Sequence, residues 1–188
     1  MKVVVCAGPA TTGKTAVLRH MIKRMKSRDL SCAFLKIDVQ YAEEDQQIEA
    51  EFGIPTRKVY SGELCPDHCN VMVLGDAIKW ARQAEADVLL VETAGLCLRC
   101  SPYVDGGLGI VVLEATSGMN LPLKVGPMLS LADVAVVTKI DRVSQAEREV
   151  FRARIQEVAP GVRIREVNAL YGIGIDPLVE MVGDQSDV

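Results

Sequence analysis

A doubly wound α/β fold, with a mostly parallel sheet of about seven strands and helices on both faces, is what this sequence predicts. Three observations carry the prediction. Short apolar runs alternate with longer stretches of helical periodicity along the whole chain. Runs such as Asp87-Val-Leu-Leu-Val-Glu92 are apolar on both faces, as strands covered by helices on each side must be. The first run stops at a glycine-rich bend that opens a helix, which is how a βαβ unit begins. At 188 residues the chain has room for one domain with a sizeable core, so residues 1–188 are expected to form one.

Composition narrows the classes further. The chain is 49% hydrophobic and 24% charged, as globular proteins are, and with only 4% aromatics its core must be aliphatic. A net charge of -4 gives no general attraction to nucleic acid, and nucleic-acid binding is not expected. No apolar run reaches the roughly 18 residues that cross a bilayer, and Met1 leads into a strand without the layout of a signal peptide. A cytoplasmic protein without a membrane association is therefore expected. In that compartment the six cysteines are expected to act as thiols, metal ligands or redox groups and not as a disulfide framework.

Val3-Val-Val-Cys-Ala7 reads as the first strand. It runs into Gly8-Pro-Ala-Thr-Thr-Gly13-Lys14-Thr15, which fits G-x-x-x-x-G-K-[ST]. A strand that ends in such a bend and restarts as a helix aims backbone N–H groups and the positive helix end at one small volume, suited to a di- or triphosphate. Gly8, Pro9, Ala10, Thr11, Thr12, Gly13, Lys14, Thr15 and Ala16 are the candidate phosphate-binding residues, and they place the fold among P-loop NTPases. Lys14 is expected to reach the outer phosphates, and the Thr15 hydroxyl the accompanying magnesium ion.

Val17, Leu18, Met21, Ile22 and Met25 then mark the core face of the helix, with His20 among its exposed positions. Cys32-Ala-Phe-Leu-Lys-Ile-Asp38 is a second strand ending in a carboxylate, followed by an acidic stretch from Glu43 to Gly53 and Pro55. Arg57 to Ser61 is a short strand, and Val71, Leu74, Ile78 and Ala81 mark an amphipathic helix. Asp87 to Glu92, Ile110 to Leu113 and Asp133 to Thr138 are buried strands ending in polar residues. Ser144-Gln-Ala-Glu147 is a capping box that starts a helix stopped by Pro160-Gly161. The last strand runs from Val162 to Asn168, and Asp176-Pro177 begins a short terminal helix.

Ligands of such sheets bind at the carboxyl ends of the strands, which places Gly8 to Thr15, Asp38, Ser61 to Cys69, Glu92 to Cys100 and Lys139 to Asp141 along one rim. Glu92-Thr-Ala-Gly95 suits the second half of a phosphate site: the carboxylate faces magnesium and the Gly95 N–H meets a γ-phosphate. Asp38 is expected to bind magnesium or to orient the attacking water; with Lys14 and Glu92 it completes the candidate catalytic set. Thr138-Lys139-Ile-Asp141 resembles the guanine-reading Asn-Lys-x-Asp pattern, whose aspartate accepts two hydrogen bonds that adenine cannot donate. Asn168, Ala169 and Leu170 complete the candidate nucleotide site. No glutamine or arginine finger stands out, so hydrolysis is expected to be slow unless a partner or dimerisation completes the site.

A second constellation lies on the same rim: Cys65-Pro-Asp-His68-Cys69 and Cys97-Leu-Arg-Cys100. Thiolates and imidazole suit zinc, nickel or copper(I), and four sulfurs also suit an iron–sulfur cluster. The alternatives are a structural zinc, a redox disulfide, or buried small hydrophobes of the kind read for Cys6 and Cys32. Cys97 follows Gly95 by two residues, so a change of phosphate occupancy at Gly95 is expected to move a metal ligand.

With these residues assembled, the chain resembles the nickel-incorporation accessory GTPases of the HypB/UreG family, within a group that also holds CobW-type metallochaperones. The marks are the phosphate loop, Asp38 with Asp45 and Gly53-Ile-Pro55, Ser61-Gly62 before Cys65 and His68, Glu92-Thr-Ala-Gly95 with a nearby cysteine, Thr116-Ser-Gly118 with Pro122-Leu-Lys124, and Lys139-Ile-Asp141. The resemblance implies a GTP- and magnesium-dependent homodimer that binds nickel or zinc at the subunit interface and delivers nickel to an apoenzyme such as hydrogenase or urease. By matching position it implies Cys65 and His68 as the family's Cys-His pair and Cys97 or Cys100 as its later cysteine. This chain departs from the pattern in three places: no metal-binding N-terminal extension is expected, Cys-His is spread over Cys65 to Cys69 while the later segment has two cysteines, Cys97 and Cys100, and Thr138 stands for asparagine. Two other classes fit the same residues less fully, a cysteine-based metal or redox sensor with vestigial turnover and a small-molecule kinase.

Overall fold

The computed structural model describes residues 1–39, 43–63, 66–94 and 103–188. Its sheet has seven strands in the order β3-β2-β4-β1-β5-β6-β7: β1 (Lys2–Ala7), β2 (Cys32–Asp38), β3 (Thr56–Tyr60), β4 (Val88–Glu92), β5 (Leu108–Glu114), β6 (Val134–Thr138) and β7 (Arg163–Glu166). All six pairings are parallel. The expected doubly wound α/β sheet is thus present, because parallel neighbours must be joined by crossovers and the sequence supplies helices for them.

Two helices, α1 (Lys14–Lys26) and α2 (Glu44–Phe52), carry the chain from β1 through β2 to β3, and α3 (Pro66–Gln83) returns it to β4. The short α4 (Leu121–Lys124) and α5 (Gly126–Ser130) join β5 to β6, α6 (Gln145–Val158) joins β6 to β7, and α7 (Asp176–Gly183) closes the chain.

Alternation along each strand decides which helix it meets. Val4 and Cys6 of β1, Phe34, Leu90, Ile110 and Val136 pack with Val17, Leu18, Met21, Ile22 and Met25 of α1 and with Leu178 and Val182 of α7. Their neighbours Val3, Val5, Leu35 and Leu89 point the other way, onto Leu74, Ala77 and Ala81 of α3. Farther along that face Val111, Leu113 and Val137 meet Phe151 and Ile155 of α6. The methionine stripe is core, as its spacing predicts: Met21 and Met25 are fully buried.

Several boundaries differ from the sequence expectation, each for a local reason. Helix α3 begins at Pro66, five residues before Val71, because proline is compatible with a first helical turn; His68 and Cys69 therefore lie on a helix and not on a loop. Strand β7 stops at Glu166, and Asn168 instead forms an isolated antiparallel bridge with Ile173. The unforeseen α4 and α5 each carry a proline in the first turn, Pro122 and Pro127. The capping box of α6 is present: Ser144 Oγ accepts from Glu147 N, and the Glu147 carboxylate accepts from Ser144 N.

Since all strands are parallel, Ala7, Asp38, Tyr60, Glu92, Glu114 and Thr138 end on one edge. Neighbours β1 and β5 send their connections in opposite directions, toward β2 and β6, and such a divergence opens a crevice at the carboxyl ends.

Candidate nucleotide site

The bend between β1 and α1 fills that crevice. Gly8 has φ 133°, and a Cβ there would stand 2.2 Å from Val112 O of β5, so only glycine lets the loop lie this close to the neighbouring strand. Thr11 and Gly13 also take positive φ, 63° and 94°. Thr12 Oγ1 donates to Pro9 O at 3.0 Å and closes the bend on itself. Lys14 folds back beneath it, donating to Gly8 O at 3.0 Å and Pro9 O at 2.9 Å. Burial lowers the Lys14 pKa below the ordinary lysine value, against the opposing pull of Glu92. Helix α1 has no acidic residue in its first turn and no side-chain cap, so its positive end faces the crevice uncompensated.

Below the loop, Thr15 Oγ1 donates to Glu92 Oε1 at 2.8 Å, linking α1 to the end of β4. The same oxygen accepts from Lys36 Nζ at 2.7 Å, and that ammonium lies 3.5 Å from Asp38 Oδ2. Burial works against a charged Lys36, but the charge and hydrogen bond of Glu92, with Glu44 and Asp38, outweigh it and raise its pKa above the ordinary value. Glu92 is 2% exposed, and its Oε2 has no hydrogen-bond partner among the described residues. These groups fit magnesium: the donor set is oxygen, the Thr15 hydroxyl is oriented by giving its proton to Glu92, and a buried carboxylate oxygen is left free to hold the ion or its water.

At the other end, Thr138 Oγ1 donates to Thr12 O at 2.7 Å, and Lys139 Nζ to Thr11 O at 3.1 Å. Lys139 also pairs with Glu114 at the tip of β5. Thr138 thus ties its loop to the phosphate loop with a hydroxyl. Thr138→Val removes that donor and leaves Thr12 O short of a partner, and is expected to lower the unfolding free energy by about 1 kcal/mol in urea titrations. Asp141 is exposed on the 3-10 turn Ile140–Arg142. A cleft of ≈ 790 Å³ runs from Gly13, Thr15 and Ala16 past Asp141 to Asn168, Ala169 and Leu170, a size suited to a small-molecule ligand. Asn168 Oδ1 accepts from Leu170 N at 3.1 Å and Tyr171 N at 3.3 Å, so it shapes this wall from within.

The phosphate loop from Gly8 through Pro9 and Ala10 to Ala16, with Asp38, Glu92, Thr138, Lys139 and Asp141, therefore shares one rim, as expected. Gly95, Cys65, Cys97 and Cys100 lie outside the described residues. His68 is exposed on α3, whereas Cys69 beside it is 3% exposed in the core beneath that helix, where burial pushes its thiol pKa up. The two are thus not brought together, and the Cys69 sulfur belongs to packing. Among the described residues no group of three or more His, Cys, Asp or Glu is placed to hold a metal ion. Cys6 and Cys32 are buried strand residues, as read; burial, aided by the Asp87 charge, pushes Cys32 up to about 12.

Two participants belong to no motif in the sequence. Lys36, 5% exposed, stands in the sequence only as a lone charge inside an apolar strand, with nothing there to name its partner. His20 is half-buried and not simply solvated: a Cβ on Gly172 would come within 2.5 Å of its Nδ1, so the 168–174 turn lies on its ring.

A phosphate loop between β1 and α1, a hydroxyl-to-carboxylate bond beneath it and the parallel strand order define a P-loop nucleotide-binding protein. Residues 2–166 match the CobW/HypB/UreG nucleotide-binding domain, and the chain belongs to that family. It is 44% identical over 188 residues to an uncharacterised protein of Methanocaldococcus jannaschii, covering 100% of this chain and 80% of that one. It is 27% identical to the urease accessory protein UreG 2 of Methylobacterium radiotolerans, covering 94% of this chain and 89% of the relative. The fold matches the crystal structure of HypB from Helicobacter pylori in complex with nickel, with a TM-score of 0.79 at 19% identity, over 100% of this chain and 91% of that one. Among the described residues no helix is long and apolar enough to cross a membrane.

Proposed function

We propose that this chain, acting as one nucleotide-binding domain, is a cytoplasmic GTPase that couples its nucleotide state to the binding of nickel or zinc and passes the metal to a client metalloenzyme. The observation that carries this reading is the Thr15–Glu92 bond beneath the phosphate loop, because Glu92 ends β4 and Cys97 and Cys100 follow it closely in the sequence.

In this reading Lys14 exchanges the Gly8 and Pro9 carbonyls for the outer phosphate oxygens, and the N–H groups that open α1 hold the inner ones. Thr15 and Glu92 would hold magnesium, which would supply positive charge against the outer phosphates. Asp38, 30% exposed at the end of β2, orients the attacking water or completes the ion's surroundings. Asp141 accepts from N1 and N2 of guanine, Thr138 and Lys139 hold its loop against the phosphate loop, and Asn168, Ala169 and Leu170 wall the base. Asp141→Asn is expected to move the preference from GTP to xanthosine triphosphate by about tenfold or more; competition binding that still favours GTP equally would remove the base-reading role.

The transported metal is assigned to Cys65, His68 and Cys97 or Cys100, shared between the subunits of a homodimer. His68, Val71 and Met72 fall on one exposed face of α3, which supports a subunit contact on that face. Elemental analysis of protein purified with and without a non-hydrolysable GTP analogue, repeated for Cys65→Ala and Cys100→Ala, tests the coupling. Metal content that follows the nucleotide and falls in both variants is the expected result, and equal content throughout overturns it.

A further inference from the structure

Lys36 is the buried group that the proposed reaction leaves without a task. Its ammonium sits on the α1 side of the sheet, 2.7 Å from Glu92 Oε1 and 3.5 Å from Asp38 Oδ2, between the two carboxylates assigned to magnesium. Glu44, at the start of α2, adds a third negative charge that acts on it. Glu44 Oε2 and Glu92 Oε2 are both buried without a hydrogen-bond partner among the described residues. One ammonium therefore stands among three carboxylates, two of which keep a free oxygen. Lys14, the nearby second cation, is turned toward the loop carbonyls instead.

We propose that Lys36 is a positioning residue that acts as a built-in counter-cation, so that a divalent ion enters the Thr15–Glu92 site only together with a triphosphate. The inference deepens the nucleotide reading above and rests on it. While the ammonium occupies Glu92 Oε1, a divalent ion meets a like charge at close range and too few oxygens to replace its water. A triphosphate supplies both missing elements, added negative charge and phosphate oxygens on the far side of the ion, and Glu92 Oε2 is already free to face it. Lys36 need not leave, since it holds Oε1 and fixes the rotamer that aims Oε2.

The test uses manganese as a paramagnetic stand-in, titrated into the protein alone and then with a non-hydrolysable GTP analogue. The wild type is expected to bind manganese with the analogue and at least about tenfold more weakly without it. Lys36→Met, with Glu92, Asp38 and Thr15 now facing an uncompensated gap, is expected to bind manganese about tenfold or more tightly than the wild type in the absence of nucleotide. Lys36→Arg, which keeps the charge, is expected to behave as the wild type, and Lys36→Met/Glu92→Gln to lose the gained site. Lys36→Gln stands in for the methionine variant should thermal melts show that it does not fold.

A folded, uncharged variant that gains no nucleotide-free manganese binding overturns the inference, as does a wild type that binds manganese equally with and without the analogue. A wild type that binds no analogue at all removes the nucleotide reading itself, and is thereby distinguished from failure of the Lys36 inference alone.

Discussion

Glu92→Ala is expected to lower the unfolding free energy by about 3–5 kcal/mol, measured by urea denaturation without nucleotide. The cost arises from what remains: Lys36 is 5% exposed and Glu92 2%, so removing the carboxylate leaves an ammonium in the interior with only the half-solvated Asp38 and Glu44 near it. Glu92→Gln keeps an acceptor for Thr15 Oγ1 and Lys36 Nζ and is expected to cost less. Lys36→Met/Glu92→Leu removes both charges and is expected to recover most of the loss, since a well-packed apolar pair is often as stable as the ion pair it replaces. A loss under about 1 kcal/mol for Glu92→Ala would mean that the Lys36 side chain swings to water and that the pair is not a fixed part of the interior.

Gly8→Ala is expected to weaken GTP-analogue binding by about a hundredfold or more, read by calorimetry. A Cβ at this position would lie 2.2 Å from Val112 O, and φ 133° is a conformation that L side chains rarely adopt. Both the strand and the loop are held, the strand by its ladder and the loop by Thr12, Lys14 and Thr138, so the clash must displace the bend that aims the N–H groups. Gly75→Ala is the control: it sits in α3 with open space around its Cβ position, and is expected to leave binding unchanged and to stabilise the fold slightly. Equal affinities for the Gly8 variant and the wild type would dismiss the close approach of loop and β5.

The parts of this molecule legible in its sequence are those governed by local chemistry. The phosphate loop announces itself because glycine, lysine and threonine are each needed at one spacing. The sheet does so because strands such as Val88–Glu92, buried on both faces, have no polar alternation to obscure them. Lys36 was hidden for the converse reason: its meaning depends on Glu92, which is 56 residues away in the chain and two strands apart only in sequence order, since β2 and β4 are neighbours. Cys69 misled because its spacing from Cys65 and His68 looks chelating, whereas one helical residue step turns its sulfur from the solvent side occupied by His68 into the core. Helical phase alone places His20 among exposed positions, because the Gly172 turn that covers its ring arrives from the far end of the chain.

The hydroxyl of Thr138 and the ammonium of Lys139 grip successive carbonyls, Thr12 and Thr11, of the bend that holds the phosphates. The two ends of the cleft are consequently one mechanical piece. If the proposed nucleotide reading holds, a purine that seats badly beside Asp141 is expected to tilt the amides that cradle its own phosphates, so that an ill-fitting base is penalised in turnover as well as in affinity.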